Sequence, residues 1–384
     1  MNGQPGPRSI VHFDLDAFFV NVEYLRNSQL RGKAIAVGGH SDRGVITSCS
    51  YEARKFGVHS AMPTRLAKRL CPHLIIVRGD MDNYSYFSNL VTEIIRTEVP
   101  VFEKSSIDEF YIEMTGMEKF FGVSRFVENL RKKIVRESGL SISHALATNK
   151  LVSKVATNEC KPNGQLVIKP GNEKSFLAPL PVEKLPMVGG HTAELLRSIG
   201  VGTIANLSEV PVDILANLLG KNGLEILKRA QGIDETPVFP YHEQKSTGTE
   251  NTFETDTNDL EFLNKELVRM TEKIAFELRC NNKLTGCITI KIRYSDFKTL
   301  TMQSALAYTS HDCVLIQKAK EIFNKLYEKH LLVRLVGVRF SNLVEGCYQI
   351  NLFEDSQEMF GLYRAIDSVK KQYGEKFLVR AVCV

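Results

Sequence analysis

The stretch that decides the fold is SIVHFDLDAFFVNVE, residues 9–23. The apolar run from Ile10 to Phe13 predicts a buried strand that delivers Asp14 to its end, and a helix is predicted to begin almost at once. We expect Asp16 to cap that helix, because its side-chain oxygen can accept a hydrogen bond from an early helical N–H. A carboxylate at the end of a buried strand costs free energy unless a positive charge meets it. Asp14 is therefore a candidate ligand of a hard divalent cation.

A second stretch, KSSIDEFYIEM at residues 104–114, also predicts a strand and carries Asp108 and Glu109 side by side. If this strand lies beside the first, Asp14 and the Asp108–Glu109 pair form a cluster of three carboxylates. Without a cation such a cluster would force one of its members to take up a proton. Oxygen ligands of this kind suit Mg²⁺, and two such ions a few ångströms apart serve in-line phosphoryl transfer. From these residues alone, the alternative remains that Asp108 and Glu109 are ordinary side chains on an edge strand and bind no metal.

Length and composition set the outer bounds. The 384 residues predict two to four domains, and 43% hydrophobic with 24% charged residues is ordinary for a globular protein in water. No N-terminal signal core or membrane-spanning run is apparent, so we expect a cytoplasmic protein without a membrane partner. The eight cysteines contain no C-x-x-C pair, which is typical of reduced thiols. The net charge of +5 permits an anionic partner without demanding one.

Four motifs together carry a resemblance. They are FDLDAFF at 13–19, SYEARKFGV at 50–58, SIDE at 106–109 and KPNG at 161–164. In this order the chain resembles the Y-family translesion DNA polymerases, and it is most similar to the bacterial DNA polymerase IV branch. The match runs from about residue 9 to 345, so it does not depend on any single motif. The resemblance implies an α+β, multidomain right-hand polymerase.

The resemblance also implies a division of the chain into subdomains. The catalytic palm would be discontinuous, the fingers would be a small insertion, and the thumb would be helical and contain a helix–hairpin–helix. A linker would then lead to an α/β little finger that binds DNA, and a tail would follow. The expected ranges are 1–20 and 81–168 for the palm, 21–80 for the fingers, 169–232 for the thumb, 233–245 for the linker, 246–345 for the little finger and 346–384 for the tail.

Site residues carry over from the family position by position. Asp14, Asp108 and Glu109 would be catalytic and would hold two Mg²⁺ ions, with the Leu15 carbonyl as a further ligand. The incoming nucleotide would meet Phe18, Phe19, Ser48, Tyr51, Arg54 and Lys161. Arg54, Tyr51 and Lys161 would contact its triphosphate, which suits their hydrogen-bond donors. Phe19 would be the steric gate that excludes a 2′-hydroxyl, and Phe18 is expected to be a core residue beside it.

Two further regions are expected to touch DNA. Residues 182–196 resemble a helix–hairpin–helix, in which Gly189 and Gly190 would let backbone N–H groups approach a phosphate. The hairpin departs from the family at Met187 and contains no lysine. In the segment Cys287–Tyr294, apolar and polar residues alternate, and Lys291 and Arg293 share the polar face. A solvated face is the ordinary explanation, but Lys and Arg there also suit phosphate contact without sequence preference.

The tail contains QINLF at 349–353. This pentapeptide resembles the one that binds bacterial polymerases to the sliding clamp, with Gln349, Leu352 and Phe353 as its contacts. An edge strand fits the same residues, and position after the last domain favours clamp binding. Residues 358–373 predict a helix of unknown purpose.

These observations favour a template-directed DNA polymerase that adds dNTPs to a primer 3′-hydroxyl across damaged DNA. Low fidelity is expected, because no further acidic cluster indicates a proofreading exonuclease. Its expected partners are primer–template DNA, dNTPs and the sliding clamp, and we expect a monomer. The alternative is a non-catalytic DNA- and clamp-binding module that keeps the fold. A nucleotide cyclase with a related two-metal site is disfavoured by the hairpin and the extra basic domain. Ala145, where the family often has glycine, is a second departure, and neither it nor Met187 belongs to the expected metal ligands.

Overall fold

The computed structural model describes residues 8–41, 43–117, 122–240, 243–346, 356–374 and 377–381, with the backbone alone for 356–360. Contacts divide the chain into two units, residues 1–242 and 243–384. The division falls inside the predicted linker. The first part of that linker packs on the first unit, since Asp234 accepts from the Leu151 N–H at 3.0 Å and the Phe239 N–H donates to Glu103 at 2.8 Å.

The first unit is built on a five-stranded sheet with β1 at its centre, in the order β5-β6-β1-β7-β8. All six residues of β1 are buried, as its apolar sequence predicts. β1 runs antiparallel to both of its neighbours, and β8 lies parallel to β7. The strands are β1 (Ile10–Leu15), β5 (Phe102–Lys104), β6 (Glu109–Glu113), β7 (Ile142–Ala147) and β8 (Gln165–Val167).

Helices cover both faces of this sheet. Val11, Phe13 and Leu15 of β1 point into one hydrophobic core with α1, α4 and α5. His12 and Asp14 alternate with them and therefore lie on the opposite face, where α6 packs against β1 and β7. The helices are α1 (Phe18–Arg26), α4 (Met81–Glu98), α5 (Val123–Ser138) and α6 (Lys150–Cys160).

A small insertion between α1 and α4 forms its own three-stranded sheet, in the order β3-β2-β4. Its core of small apolar residues is separate from that of the main sheet. The Ser50 hydroxyl accepts from the Ala53 N–H at 3.2 Å and so begins the first of its helices. The elements are β2 (Ile35–Gly38), β3 (Ile46–Cys49), α2 (Tyr51–Arg54), α3 (Thr64–Leu70) and β4 (Ile75–Val77).

The last part of the first unit is helical, as predicted for the thumb. Leu177, Leu196, Ile204, Leu207 and Leu215 are buried in a core shared with α6. The helices are α7 (Glu173–Leu177), α8 (Gly190–Ser198), α9 (Ile204–Glu209), α10 (Val212–Leu219) and α11 (Lys221–Ala230).

The second unit contains a four-stranded antiparallel sheet in the order β11-β10-β12-β9, with two helices on one face. The predicted alternation in β10 is confirmed, because Ile288, Ile290, Ile292 and Tyr294 are all fully buried. The elements are β9 (Ser246–Thr257), α12 (Leu260–Cys280), β10 (Lys283–Tyr294), β11 (Thr299–Thr309), α13 (Asp312–Leu326) and β12 (Val333–Glu345). α13 ends at Leu326, where Tyr327 turns to an extended conformation.

A final helix, α14 (Ser356–Tyr373), packs on the second unit. Tyr363 is its buried anchor, and the Tyr363 hydroxyl accepts from the Cys313 N–H at 3.3 Å. Arg279 of α12 donates two hydrogen bonds to Asp367, at 2.7 and 2.9 Å. Along the ranges given above, no helix combines the length and apolar character that crossing a membrane requires.

Candidate active site

The end of β1 brings three acidic residues near one another. Asp14 lies directly opposite Glu109 in the pairing of β1 with β6. Asp108 immediately precedes β6, and its carbonyl accepts from the Leu15 N–H at 3.0 Å. The Asp108 carboxylate also accepts from the Ser106 hydroxyl at 2.6 Å. Asp14 and Glu109, far apart in sequence, are thus brought together, and the Asp108 backbone lies beside them. Among the described residues, the ligand atoms that lie within 4.8 Å of one another come from His12, Asp14 and Glu109 and not from Asp108.

The electrostatics of the cluster are those expected of crowded carboxylates. Burial raises the pKa of Asp14 from 3.8 to about 7; Lys161 opposes this rise, and the charges of Asp108 and Glu109 add to it. Burial also acts to raise the pKa of Glu109, but His12 and Lys154 outweigh it, and the pKa falls well below its usual range. Because burial lowers the pKa of His12 to about 4, that ring is neutral at pH 7 and Lys154 supplies the opposing charge. Such a site favours a bound cation.

Two lysines approach the cluster from α6 and from the turn that follows it. Lys161 Nζ lies 2.5 Å from Asp14 Oδ2. Lys154 Nζ donates to both oxygens of Glu109, at 2.9 and 2.6 Å. The sequence analysis named Lys161 but missed Lys154. The signal was available, since Lys150 and Lys154 are four residues apart and so share a face wherever the segment is helical.

His12 is a further neighbour that the sequence analysis did not name. It is fully buried on the face of β1 that carries Asp14, and its Nε2 lies 4.0 Å from Glu109 Oε2. One ligand atom each from His12, Asp14 and Glu109 lies within 4.8 Å of the other two. A nitrogen donor therefore stands beside the predicted oxygen ligands, and the two-residue spacing from Asp14 was the signal for it.

The aromatic pair after β1 divides as predicted. Phe18 is 3% exposed and belongs to the core. Phe19 is only partly buried, and its ring stacks on Tyr84 with centroids 4.3 Å apart and planes 22° apart. Tyr84 is itself fixed, because its hydroxyl donates to Glu23 at 2.7 Å. Phe19 thus presents a supported ring surface.

Tyr51 and Arg54 lie on α2. The Arg54 guanidinium sits 4.5 Å from the centre of the Tyr51 ring, and the buried Tyr51 hydroxyl has no hydrogen-bond partner in the described part of the chain. Burial raises the pKa of Tyr51 to about 12, and the charges of Asp16 and Asp14 contribute to the rise. Ser48 is nearly buried on β3, across from Val37.

The expectation that Asp16 caps α1 is wrong. Ala17 precedes the helix with φ 39°, and no side chain caps it. The Asp16 carboxylate points instead toward β7 and the turn after α6, where it accepts from Ser141, Ser143 and Asn163. The three donors come from 125 to 147 residues away, so local sequence could not reveal them.

Comparison with known proteins adds to this geometry. The impB/mucB/samB family matches residues 13–158, its C-terminal domain matches 244–352, and its helix–hairpin–helix motif matches 170–201. A DNA polymerase IV of Dehalococcoides mccartyi is 37% identical over 96% of this chain and 95% of its own. That of Listeria innocua is 36% identical over 88% and 95%. This chain belongs to the Y family of DNA polymerases.

Solved structures agree with the Y-family fold. A Y-family polymerase chimera of Dbh and Dpo4 superimposes with a TM-score of 0.77 at 26% identity, covering 88% of this chain and 100% of the other. An insertion ternary complex of Dbh DNA polymerase gives a TM-score of 0.64 at 25% identity over the same shares. The protein is accordingly a DNA polymerase of the translesion type, with a helix–hairpin–helix and a C-terminal sheet domain matching the little finger. The non-catalytic alternative is not favoured.

The residues expected to touch DNA in this Y-family polymerase lie on open surfaces. Gly189 directly precedes α8 and Gly190 begins it, and a Cβ atom on either would meet no neighbour within 4 Å. Lys291 forms a salt bridge with Glu250 at 2.8 Å, and Arg293 donates to the Thr299 hydroxyl at 2.9 Å. The pentapeptide with Gln349, Leu352 and Phe353 lies outside the described residues.

Proposed function

We propose that Asp14, Asp108 and Glu109, together with the Leu15 carbonyl, hold two Mg²⁺ ions at the end of β1. A divalent metal is general to DNA polymerases, and oxygen ligands with waters and substrate phosphates are what Mg²⁺ prefers. The observation that carries the proposal is the pairing of Asp14 with Glu109, with the Asp108 backbone hydrogen-bonded to Leu15 beside them. Bound ions would activate the primer 3′-hydroxyl and neutralise charge on the phosphates.

The chain's own residues then bind and orient the nucleotide. Lys161, Arg54 and Tyr51 would donate to the triphosphate, and Ser48 lies nearby. The Lys161 ammonium lies at the acidic cluster, where it would meet a phosphate of the bound nucleotide. The partnerless Tyr51 hydroxyl offers a donor that a phosphate oxygen would satisfy. These groups supply catalysis through positioning and charge.

Phe19 would select the sugar. Its ring is held by Tyr84, so it cannot easily turn away from a 2′-hydroxyl. Phe18, which the motif places next to the nucleotide, would support Phe19 from within the core. The enzyme would therefore use dNTPs rather than ribonucleotides.

DNA would be held by two surfaces of different chemistry. Gly189 and Gly190 would bring the positive end of α8 to a phosphate. Lys291 and Arg293 would meet the backbone without sequence preference, although Glu250 must release or share Lys291. QINLF at 349–353 would bind the sliding clamp. We further propose that the enzyme has low fidelity and no proofreading activity. It would act as a monomer in the cytoplasm.

The proposal is tested by primer extension with the full chain, primed DNA, dNTPs and Mg²⁺. Asp14→Ala, Asp108→Ala and Glu109→Ala should each reduce extension by about 100-fold or more, as loss of a preorganised charge does. Asp213→Ala, which removes an exposed aspartate from α10, is the matched control and should extend like the wild type. Wild-type activity of Asp108→Ala would overturn the metal assignment.

A further inference from the structure

Asp16 is a buried carboxylate that accepts its hydrogen bonds from neutral donors. It is 1% exposed, and no salt bridge in the described ranges involves it. Its Oδ2 accepts from the Ser141 hydroxyl at 2.6 Å and from the Asn163 N–H at 2.8 Å, and its Oδ1 accepts from the Ser143 hydroxyl at 2.7 Å. A carboxylate solvated only by neutral donors is costly to bury, so its position calls for a reason beyond stability.

The donors show what Asp16 holds. Asn163 belongs to the turn 161–164 that links α6 to β8. The next N–H of this turn, that of Gly164, donates to the Ser143 hydroxyl at 3.1 Å. Two successive N–H groups of the turn are therefore fixed by Asp16, one directly and one through Ser143.

The turn is also fixed from its other side. Arg131 of α5 donates to the Asn163 carbonyl at 3.0 Å and to the Ile142 carbonyl at 2.9 Å. Gly164 cannot be replaced freely, since a Cβ atom there would lie 1.8 Å from the Cys160 carbonyl oxygen. Contacts on both sides thus hold the backbone of the turn on its path past the end of β1.

This path determines where Lys161 points. Lys161 is the first residue of the turn, and its Nζ reaches Asp14 at 2.5 Å. Asp14 and Asp16 are two residues apart at the end of β1, so one short segment carries a metal ligand and the anchor of the turn. The segment that carries Asp14 therefore also fixes the position of the Lys161 backbone, through Asp16.

We infer that Asp16 is a positioning residue that holds the turn 161–164 so that Lys161 reaches the triphosphate of the incoming nucleotide. The inference rests on the proposed triphosphate contact of Lys161. Asp16 itself touches neither substrate nor metal; it acts through the Asn163 N–H and through Ser143.

The test is the equilibrium affinity for a matched dNTP, measured by fluorescence on a primer–template whose primer ends in a dideoxynucleotide, so that no chemistry follows. Asp16→Ala should raise the dNTP Kd about tenfold, in keeping with the loss of charged hydrogen bonds. Asp16→Asn keeps an oxygen for the Asn163 N–H and should stay within about threefold of the wild type. In a Lys161→Ala background, Asp16→Ala should add less than about twofold, because the two changes remove one contact.

Two serines provide a matched pair that perturbs the fold less. Ser143→Ala removes the acceptor of the Gly164 N–H and should raise the dNTP Kd about threefold. Ser141→Ala removes a donor to the same carboxylate without touching the turn, and it should leave the Kd unchanged. These variants keep the test decisive if Asp16→Ala does not fold.

Each other outcome has a distinct meaning. If the effects of Asp16→Ala and Lys161→Ala on the dNTP Kd multiply in the double variant, the positioning role is overturned. Equal changes of the Kd in Ser143→Ala and Ser141→Ala would also overturn it. A weaker dNTP affinity in Lys161→Ala with an unchanged affinity in Asp16→Ala would overturn it as well. An unchanged affinity in Lys161→Ala would overturn the proposed triphosphate contact itself, which separates that failure from the failure of Asp16.

Discussion

Asp14 lies opposite Glu109 in the pairing of β1 with β6, yet the pKa values of these two carboxyl groups shift in opposite directions. Asp14 is the more deeply buried, with 5% of its side chain exposed, and one ammonium contacts one of its oxygens. Glu109 is 19% exposed, and Lys154 contacts both of its oxygens. The two carboxylates are therefore neutralised to different extents, each by a different lysine.

This inequality makes Lys154→Gln informative. Removing the ammonium beside Glu109 leaves one more negative charge at the cluster, which should strengthen divalent metal binding about three- to tenfold. Calorimetric titration of the DNA-free protein with Mn²⁺ measures this directly. Lys150→Gln is the matched control, since Lys150 lies one turn earlier on α6 but pairs with Glu103 at 2.7 Å. Weaker metal binding in Lys154→Gln would show that Lys154 supports the metal site instead of opposing it.

Phe18 and Phe19 are neighbours with separable consequences. Phe19→Ala should admit ribonucleotides, raising their incorporation relative to dNTPs by about 100-fold, because a steric exclusion is lost. Phe18→Ala should instead lower the free energy of unfolding by roughly 3–5 kcal/mol, since a buried aromatic side chain is removed from the core. Single-nucleotide incorporation and urea unfolding separate the two effects. The assignment is wrong if Phe18→Ala relaxes sugar selection and Phe19→Ala does not.

Sequence predicted what depends on local pattern, namely buried β1, the acidic strand β6 and the alternation in β10. It failed where partners come from afar. The local sequence around Asp16 is typical of a helix cap, but the Asp16 carboxylate accepts from Ser141, Ser143 and Asn163 instead. Spacing places Lys154 on one face with Lys150 and His12 on one face with Asp14, but their approach to Glu109 appears only when β6 pairs with β1 and α6 packs on β1. These contacts join residues that are distant in sequence, so they can be identified only from the folded structure.

The packing of α14 on the second unit depends on charged contacts that can be weakened selectively. Asp367→Asn removes the charge that binds Arg279 twice, while Asp312 remains as a second partner of Arg279 at 2.6 Å. We expect a loss of about 1–3 kcal/mol, the range for hydrogen bonds to charged groups. Amide hydrogen exchange along residues 361–374 should speed up correspondingly. Lys371→Gln, an exposed position on the same helix, should exchange like the wild type.

His144 on β7 should make the first unit sensitive to acid. Burial, together with the nearby charge of Arg131, lowers the pKa of His144 from 6.5 to about 4. The folded protein therefore favours the neutral ring, so this contribution to stability is present above pH 6.5 and is lost as the pH falls toward 4. A pKa difference of about 2.5 corresponds to roughly 3 kcal/mol at the acid end. In His144→Leu, urea unfolding followed between pH 7 and 4 should show a shallower loss of stability than the wild type. The remaining slope should include His12, whose pKa burial also lowers to about 4. Equal slopes for both proteins would mean that His144 is protonated in the fold without penalty.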